Sequence, residues 1–98
     1  LTLESNYKDG ERDGLSKTWF ENGQLETEVN YKDGKFDGLG QRWDINGHME
    51  LETNHKDGEL DGLSKTWHLN DQLETEGNWK DGALIYFKQW NENGQIIN

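Results

Sequence analysis

The sequence predicts an all-β protein: a single-layer, elongated, twisted antiparallel sheet of successive β-hairpins, built from about four repeats of 24 residues. Three observations predict it. First, the phrase "YKDGERDGLSKTWF" of residues 7–20 largely returns along the chain. "KDG" follows Asn6-Tyr7, Asn30-Tyr31, Asn54-His55 and Asn78-Trp79 at a spacing of 24, and "GLSKTW" opens at both Gly14 and Gly62. A fixed period of this length is the mark of a repeat architecture. Second, apolar residues recur at every second position, the strand period, rather than every third or fourth. Third, Asn-Gly and Asp-Gly pairs separate the alternating runs, and there is no proline to interrupt strand pairing.

The elements follow in order. In the first full copy "LSKTWF" is a strand, Glu21-Asn22-Gly23 a turn, "QLETEVNY" the returning strand and Lys32-Asp33-Gly34 the next turn. Asn-Gly is expected to make a two-residue hairpin turn with positive φ at both residues. The third copy has Asn70-Asp71 in place of Asn-Gly, a change that still tolerates left-handed backbone. The last copy lacks one residue between Gly82 and Trp90, so "NENGQI" returns 71 residues after "FENGQL". The expectation is about eight short strands in a single domain spanning 1–98, with repeats bounded at about 1–14, 15–38, 39–62, 63–85 and 86–98, the first and last partial.

A period of two also assigns faces. Leu25, Thr27, Val29 and Tyr31 share one face of their strand against Glu26, Glu28 and Asn30. Met49, Leu51, Thr53 and His55 repeat this against Glu50, Glu52 and Asn54, as do Leu73, Thr75, Gly77 and Trp79 against Glu74, Glu76 and Asn78. In the preceding strand Leu15, Lys17 and Trp19 align, opposite Ser16 and Thr18. The expectation is one face of aliphatic and aromatic residues and another of hydroxyls and glutamates.

Composition narrows the function. Of 98 residues, 30% are hydrophobic and 31% charged, with a net charge of -10, which alone would place the chain near the disordered class. Five tryptophans in a regular pattern overrule that reading. The absence of cysteine excludes disulfides, thiolate metal sites and thiol nucleophiles. No apolar run approaches the ~18 residues of a membrane span, and no signal peptide is visible. The chain starts at Leu1 inside the pattern, so export stays open beside a cytoplasmic location. The acidic balance argues against nucleic acid and anionic membranes, which recruit basic residues, and suits a basic protein surface. No phosphate loop, dinucleotide fingerprint or serine–histidine–acid arrangement is present, so neither an enzyme nor a cofactor is expected.

The phrase G-x-x-x-x-W-x-x-N-G-Q-L-x-x-E-x-N-Y-K-D-G-x-x-D-G resembles the variant form of the MORN repeat found in many bacterial proteins. The likeness runs through about four copies and nearly the whole chain. Copy two departs with Ile45-Asn46-Gly47-His48, and copy four loses its second Asp-Gly, as a capping repeat does. The resemblance implies an elongated sheet of hairpins with no catalysis by the repeats. It implies a scaffolding, protein-interaction or membrane-apposition role, and proteins built from the variant repeat include an antitoxin family.

Four sets of residues are candidate sites. Asp9/Asp13, Asp33/Asp37 and Asp57/Asp61 are weak calcium candidates, since a calcium loop needs six or more converging oxygens. Their simpler role is turn chemistry, with Asp bonding local backbone and Gly supplying positive φ. The aromatics Tyr7, Trp19, Tyr31, Trp43, Trp67, Trp79 and Trp90 either cover one another along the sheet or form an exposed partner-binding face. Glu26, Glu28, Glu50, Glu52, Glu74 and Glu76 lack the environmental asymmetry of a glycosidase pair and read as a solvated face. His48, His55 and His68 do not recur at one repeat position and read as incidental. The expected function is a non-catalytic protein-interaction or scaffold module, with an antitoxin-like or immunity-like form, facing a basic toxin or a second copy. The alternative is cell-wall carbohydrate or choline-type binding by aromatic hairpins.

Overall fold

A computed structural model of the chain describes residues 2–97. These residues form one antiparallel sheet of nine strands: β1 (Thr2–Lys8), β2 (Glu11–Trp19), β3 (Leu25–Lys32), β4 (Lys35–Trp43), β5 (Met49–Lys56), β6 (Glu59–Leu60), β7 (Gly62–Trp67), β8 (Leu73–Lys80) and β9 (Ala83–Gln89). The strands pair antiparallel in the order β1-β2-β3-β4-β5-β7-β8-β9, with β6 also on β5. β6 and β7 are one strand interrupted at Asp61, whose N–H still donates to the Asn54 carbonyl at 2.9 Å. The meander of about eight strands expected from the period is therefore present.

The sheet is one layer, 47 × 36 × 11 Å. Its radius of gyration, 14.9 Å, exceeds the ~13 Å of a compact chain of this size. Among the described residues no hydrophobic side chain is buried. Order comes from the backbone ladder and from cross-strand pairs on both faces. Examples are Ser5 Oγ–Ser16 Oγ (2.7 Å) and Thr18 Oγ1–Thr27 Oγ1 (2.6 Å), repeated as Thr66–Thr75.

The two Asp-Gly pairs of each repeat do different work. Asp9 (φ 52°) and Gly10 (φ 82°) are both left-handed, the signature of a two-residue type I′ turn, and Asp33, Asp57 and Asp81 repeat it. Asp13-Gly14 sits instead in a bulge. Ser5 pairs with Ser16 and Tyr7 with Arg12, so three residues of β2 stand opposite Asn6 alone. Gly14 takes φ 99° there, and the Asn6 side chain donates to the Leu15 carbonyl at 2.9 Å. The bulge also frees the Arg12 carbonyl, which accepts the N–H of Gly34 from the next hairpin at 2.9 Å. Phe36 to Gly58 and Leu60 to Gly82 repeat this link, so each turn is tied to its predecessor.

The Asn-Gly loops depart from expectation. Gly23 is left-handed at φ 88° but Asn22 is not, and the Gly23 N–H donates to the Phe20 carbonyl at 3.0 Å. The Phe20 N–H in turn reaches the Gln24 carbonyl, closing a three-residue loop of type I turn plus left-handed residue. Asn22 stays right-handed because its side-chain oxygen accepts the Gln24 N–H at 2.9 Å.

The face assignment is also corrected. Ser16 pairs with Val29 and Thr18 with Thr27, while Leu15 pairs with Asn30 and Lys17 with Glu28. Hydroxyls therefore share a face with Val29 and Tyr31, and Leu15 shares one with glutamate. Alternation fixes faces within a strand, but the phase between strands is set by turn and bulge geometry, and a one-residue slip inverts it.

Candidate functional site

Register divides the aromatic set. Tyr7, Tyr31 and Trp79 stand on the side of Ser16 and Val29, called here the tyrosine face. Alternation from Thr18 carries Trp19 to the opposite side with Lys17, and Trp43, Trp67 and Trp90 occupy the same repeat position. The seven aromatics thus do not form a single face. Each side carries part of the apolar surface.

The tyrosine face is the more apolar. Across its middle runs the row Ser5, Ser16, Val29, Gly40 and Thr53, continued by Ser64, Gly77 and Phe87. Apart from Val29 and Phe87 the residues of this row are small, and Ser16, Gly40 and Gly77 are buried beneath taller neighbours. Along one side stand Arg12, Tyr31, Phe36, His55 and Leu60. The Phe36 ring lies 5.0 Å from Tyr31 and 5.1 Å from His55, tilted against both. Arg12 donates to the Tyr31 hydroxyl at 3.0 Å and lies 5.2 Å over its ring. The nearby Tyr7 and Tyr31 hydroxyls hold the guanidinium still more firmly in its charged form. A cation of the protein's own therefore already lies over the Tyr31 ring.

A cavity of about 390 Å³ opens on this face over β3–β5, with Val29, Phe36, Gly40, Leu51 and Leu60 in its lining. His55 also lines it. Its Nε2 meets Thr53 Oγ1 at 2.8 Å, while its Nδ1 is shielded and without a partner. Burial pushes the His55 pKa below the ordinary histidine value, so the ring is held neutral. A second hollow of about 470 Å³ lies at the Asn-Gly end, bordered by Phe20, Glu21, Glu26 and Ile45.

The glutamates separate by environment. Glu28 lies 3.9 Å from Lys17, and Glu76 accepts the Tyr86 hydroxyl at 2.9 Å, which raises the Tyr86 pKa. Glu26 and Glu74 accept from Thr18 and Thr66, and Glu50 pairs with Arg42 at 3.3 Å. The bulge between Thr18 and Trp19 lets Glu26 reach the threonine beside it, so the six carboxylates do not line one solvated face.

The histidines are also apart. His48 Nδ1 meets Asp71 Oδ1 at 2.8 Å across adjacent hairpin loops, and that hydrogen bond raises the His48 pKa. His68 Nε2 bonds the Trp90 carbonyl at 2.9 Å. Sequence reasoning missed this contact between loops, because His48 and Asp71 lie 23 residues apart and recur in no other copy. Asp9, Asp33 and Asp57 sit in the type I′ turns and Asp13, Asp37 and Asp61 in the bulges. Among the described residues no group of three or more His, Cys, Asp or Glu is placed to hold a metal ion.

No curated protein matches the chain at a significant level. The family described as MORN repeat variant matches residues 12–33 and 60–81. The two matches start 48 residues apart (60 − 12), two periods of the repeat, and each spans a bulge, an Asn-Gly-type loop and the strand that returns from it. Residues 12–33 and 60–81 are similar to the MORN repeat variant, and they lie within an open sheet of hairpins.

Proposed function

We propose that the chain is a non-catalytic protein-interaction module whose contact surface is the tyrosine face. The observation that supports this is an apolar sheet face without a second layer. Phe36, Leu84 and Phe87 remain 39%, 49% and 43% exposed, and no hydrophobic side chain among the described residues is buried. A sheet ordinarily buries one face against another element, and a contiguous exposed apolar patch is the usual mark of an interaction site. Tyr7, Tyr31 and Trp79 supply the aromatic anchors that dominate binding energy at such surfaces. The net charge of -10 favours a basic partner by steering it toward the sheet. Direct neutralisation of a basic protein toxin is the antitoxin-like form of this reading. The tryptophan side, with Trp19, Trp43, Trp67 and Trp90 beside lysines and glutamates, serves mainly to stiffen the sheet.

The test is affinity capture with the tagged chain from its native cell, repeated with two variants. Trp79→Ala with Phe87→Ser on the tyrosine face should abolish the captured interaction, and Trp43→Ala on the other side should leave it intact. The opposite pattern, or capture indifferent to both, overturns the assignment of the face.

A further inference from the structure

Copies one and three of the repeat (residues 11–34 and 59–82) share a residue that copy two (35–58) changes at seven aligned positions: 35, 40, 41, 42, 48, 49 and 51. Four of these, Gly40, Gln41, Arg42 and Leu51, line the 390 Å³ cavity over β3–β5. The same positions in copy one hold Ser16, Lys17, Thr18 and Thr27. The changes are concerted in their physical effect. Glycine for serine lowers the floor, since a Cβ at Gly40 would approach Thr53 Oγ1 to 3.2 Å and Val29 to 3.9 Å. Leucine for threonine replaces a hydroxyl with an aliphatic wall. Arginine for threonine sets a cation at the edge.

We propose that this cavity is a binding site for a small aromatic monocarboxylate. Its volume lies within the roughly 300–1,000 Å³ of small-molecule sites, which pair apolar walls with a few polar groups that fix orientation. Phe36, tilted between Tyr31 and His55, offers an aromatic wall against which a planar ring packs offset or edge-on. Arg42 Nε is held by Glu50 Oε1 at 3.3 Å, which steadies the side chain, and the two terminal amino groups of a guanidinium supply a fork suited to carboxylate. His55, kept neutral by burial, adds no second positive charge, and Glu50 already offsets part of the Arg42 charge, so no more than one anionic group on an otherwise apolar body suits the site. Copies one and three, with serine and threonine at these places, are not expected to bind. The cavity lies on the face proposed for protein contact, but its test uses the chain alone, so failure of either reading is seen separately.

The intact chain is titrated with 2-naphthoate and followed by amide shifts of the isotopically labelled protein. Saturable one-site binding is expected, with shifts concentrated in β3–β5. Loss of the charge-assisted bond should weaken 2-naphthalenemethanol by about tenfold or more. Octanoate, which has the charge without the ring, should also be weaker by about tenfold. The variant Gly40→Ser/Arg42→Thr/Leu51→Thr carries the residues that the neighbouring copies already use, so its far-UV spectrum should be unchanged while naphthoate affinity falls about tenfold or more. Absence of saturable binding, shifts centred elsewhere, equal affinity for octanoate, or undiminished affinity in a folded triple variant each overturns the proposal.

Discussion

Asn30 Nδ2 donates to the main-chain carbonyl of Leu39 at 3.1 Å, reaching across the bulge at Asp37-Gly38. Asn6 does the same to Leu15 and Asn54 to Leu63, both at 2.9 Å. The bulge removes that carbonyl from the ladder, and the asparagine supplies the missing donor. Asn30→Ala should therefore cost about 1 kcal/mol, a fall in Tm of about 4–8 °C for a domain of this size. In the last copy Asn78 pairs directly with Tyr86 and only Ile85 is extra, so the bulge is shorter by one residue. Asn78→Ala should cost clearly less, and comparing the two melts separates bulge capping from a general asparagine effect.

Asp71 occupies the place of Gly23 and Gly47 and takes φ 67° there. A left-handed L-residue is strained, although Asp tolerates the region better than most. In a His48→Gln background Asp71→Gly should raise stability by about 0.5–1 kcal/mol. In the native chain the gain should be smaller, because the same substitution removes the partner of His48 at 2.8 Å. A double-mutant cycle by thermal melting measures the difference, and equal gains in both backgrounds would show the His48–Asp71 contact to be idle.

The two perturbed histidines predict opposite pH dependence. Bonding to Asp71 raises the His48 pKa above the ordinary 6.5. Its stabilising effect is thus fully present below pH 6.5 and lost as pH rises through the folded value. Burial lowers the His55 pKa below 6.5, so the unfolded chain binds the extra proton first and stability falls as pH drops from 6.5 through the folded value. His48→Gln should destabilise more at pH 5 than at pH 8. His55→Tyr, the residue copy one uses, should remove the part of the acid sensitivity that His55 carries. Melts of both variants at these pH values check the signs.

The legible part of this fold was local. The 24-residue period, strand alternation and the need for left-handed residues at Asp-Gly are carried by residues within one hairpin, so they show in sequence order. Two things were not. The phase of Ser16 against Val29 depends on the β2–β3 bulge, where Glu26 alone is extra, and that single residue turned the expected hydroxyl face into part of the apolar one. Seven aromatics at regular spacing read as one surface, yet Tyr31 and Trp19 fall on opposite sides for the same reason. The His48–Asp71 contact and the cavity under Gly40 arise where copies differ, and a reading built on what repeats passes over them.

Phe36 tests how strongly neighbouring hairpins depend on each other. It is 39% exposed and touches both Tyr31 on β3 and His55 on β5. A fully buried phenylalanine costs about 3–5 kcal/mol when cut to alanine. Partial exposure and the absence of a covering layer should hold Phe36→Ala to about 1–2 kcal/mol, made of lost area and aromatic contact. In a sheet where each hairpin touches only its neighbours, the effect should also be local. Amide exchange should speed up most in β3, β4 and β5, with β1 and β9 least affected. Uniform loss of protection from Thr2 to Gln89 would instead mean that the sheet opens as one cooperative unit, and that the turn-to-turn bonds from Gly34, Gly58 and Gly82 couple the hairpins more tightly than their side chains do.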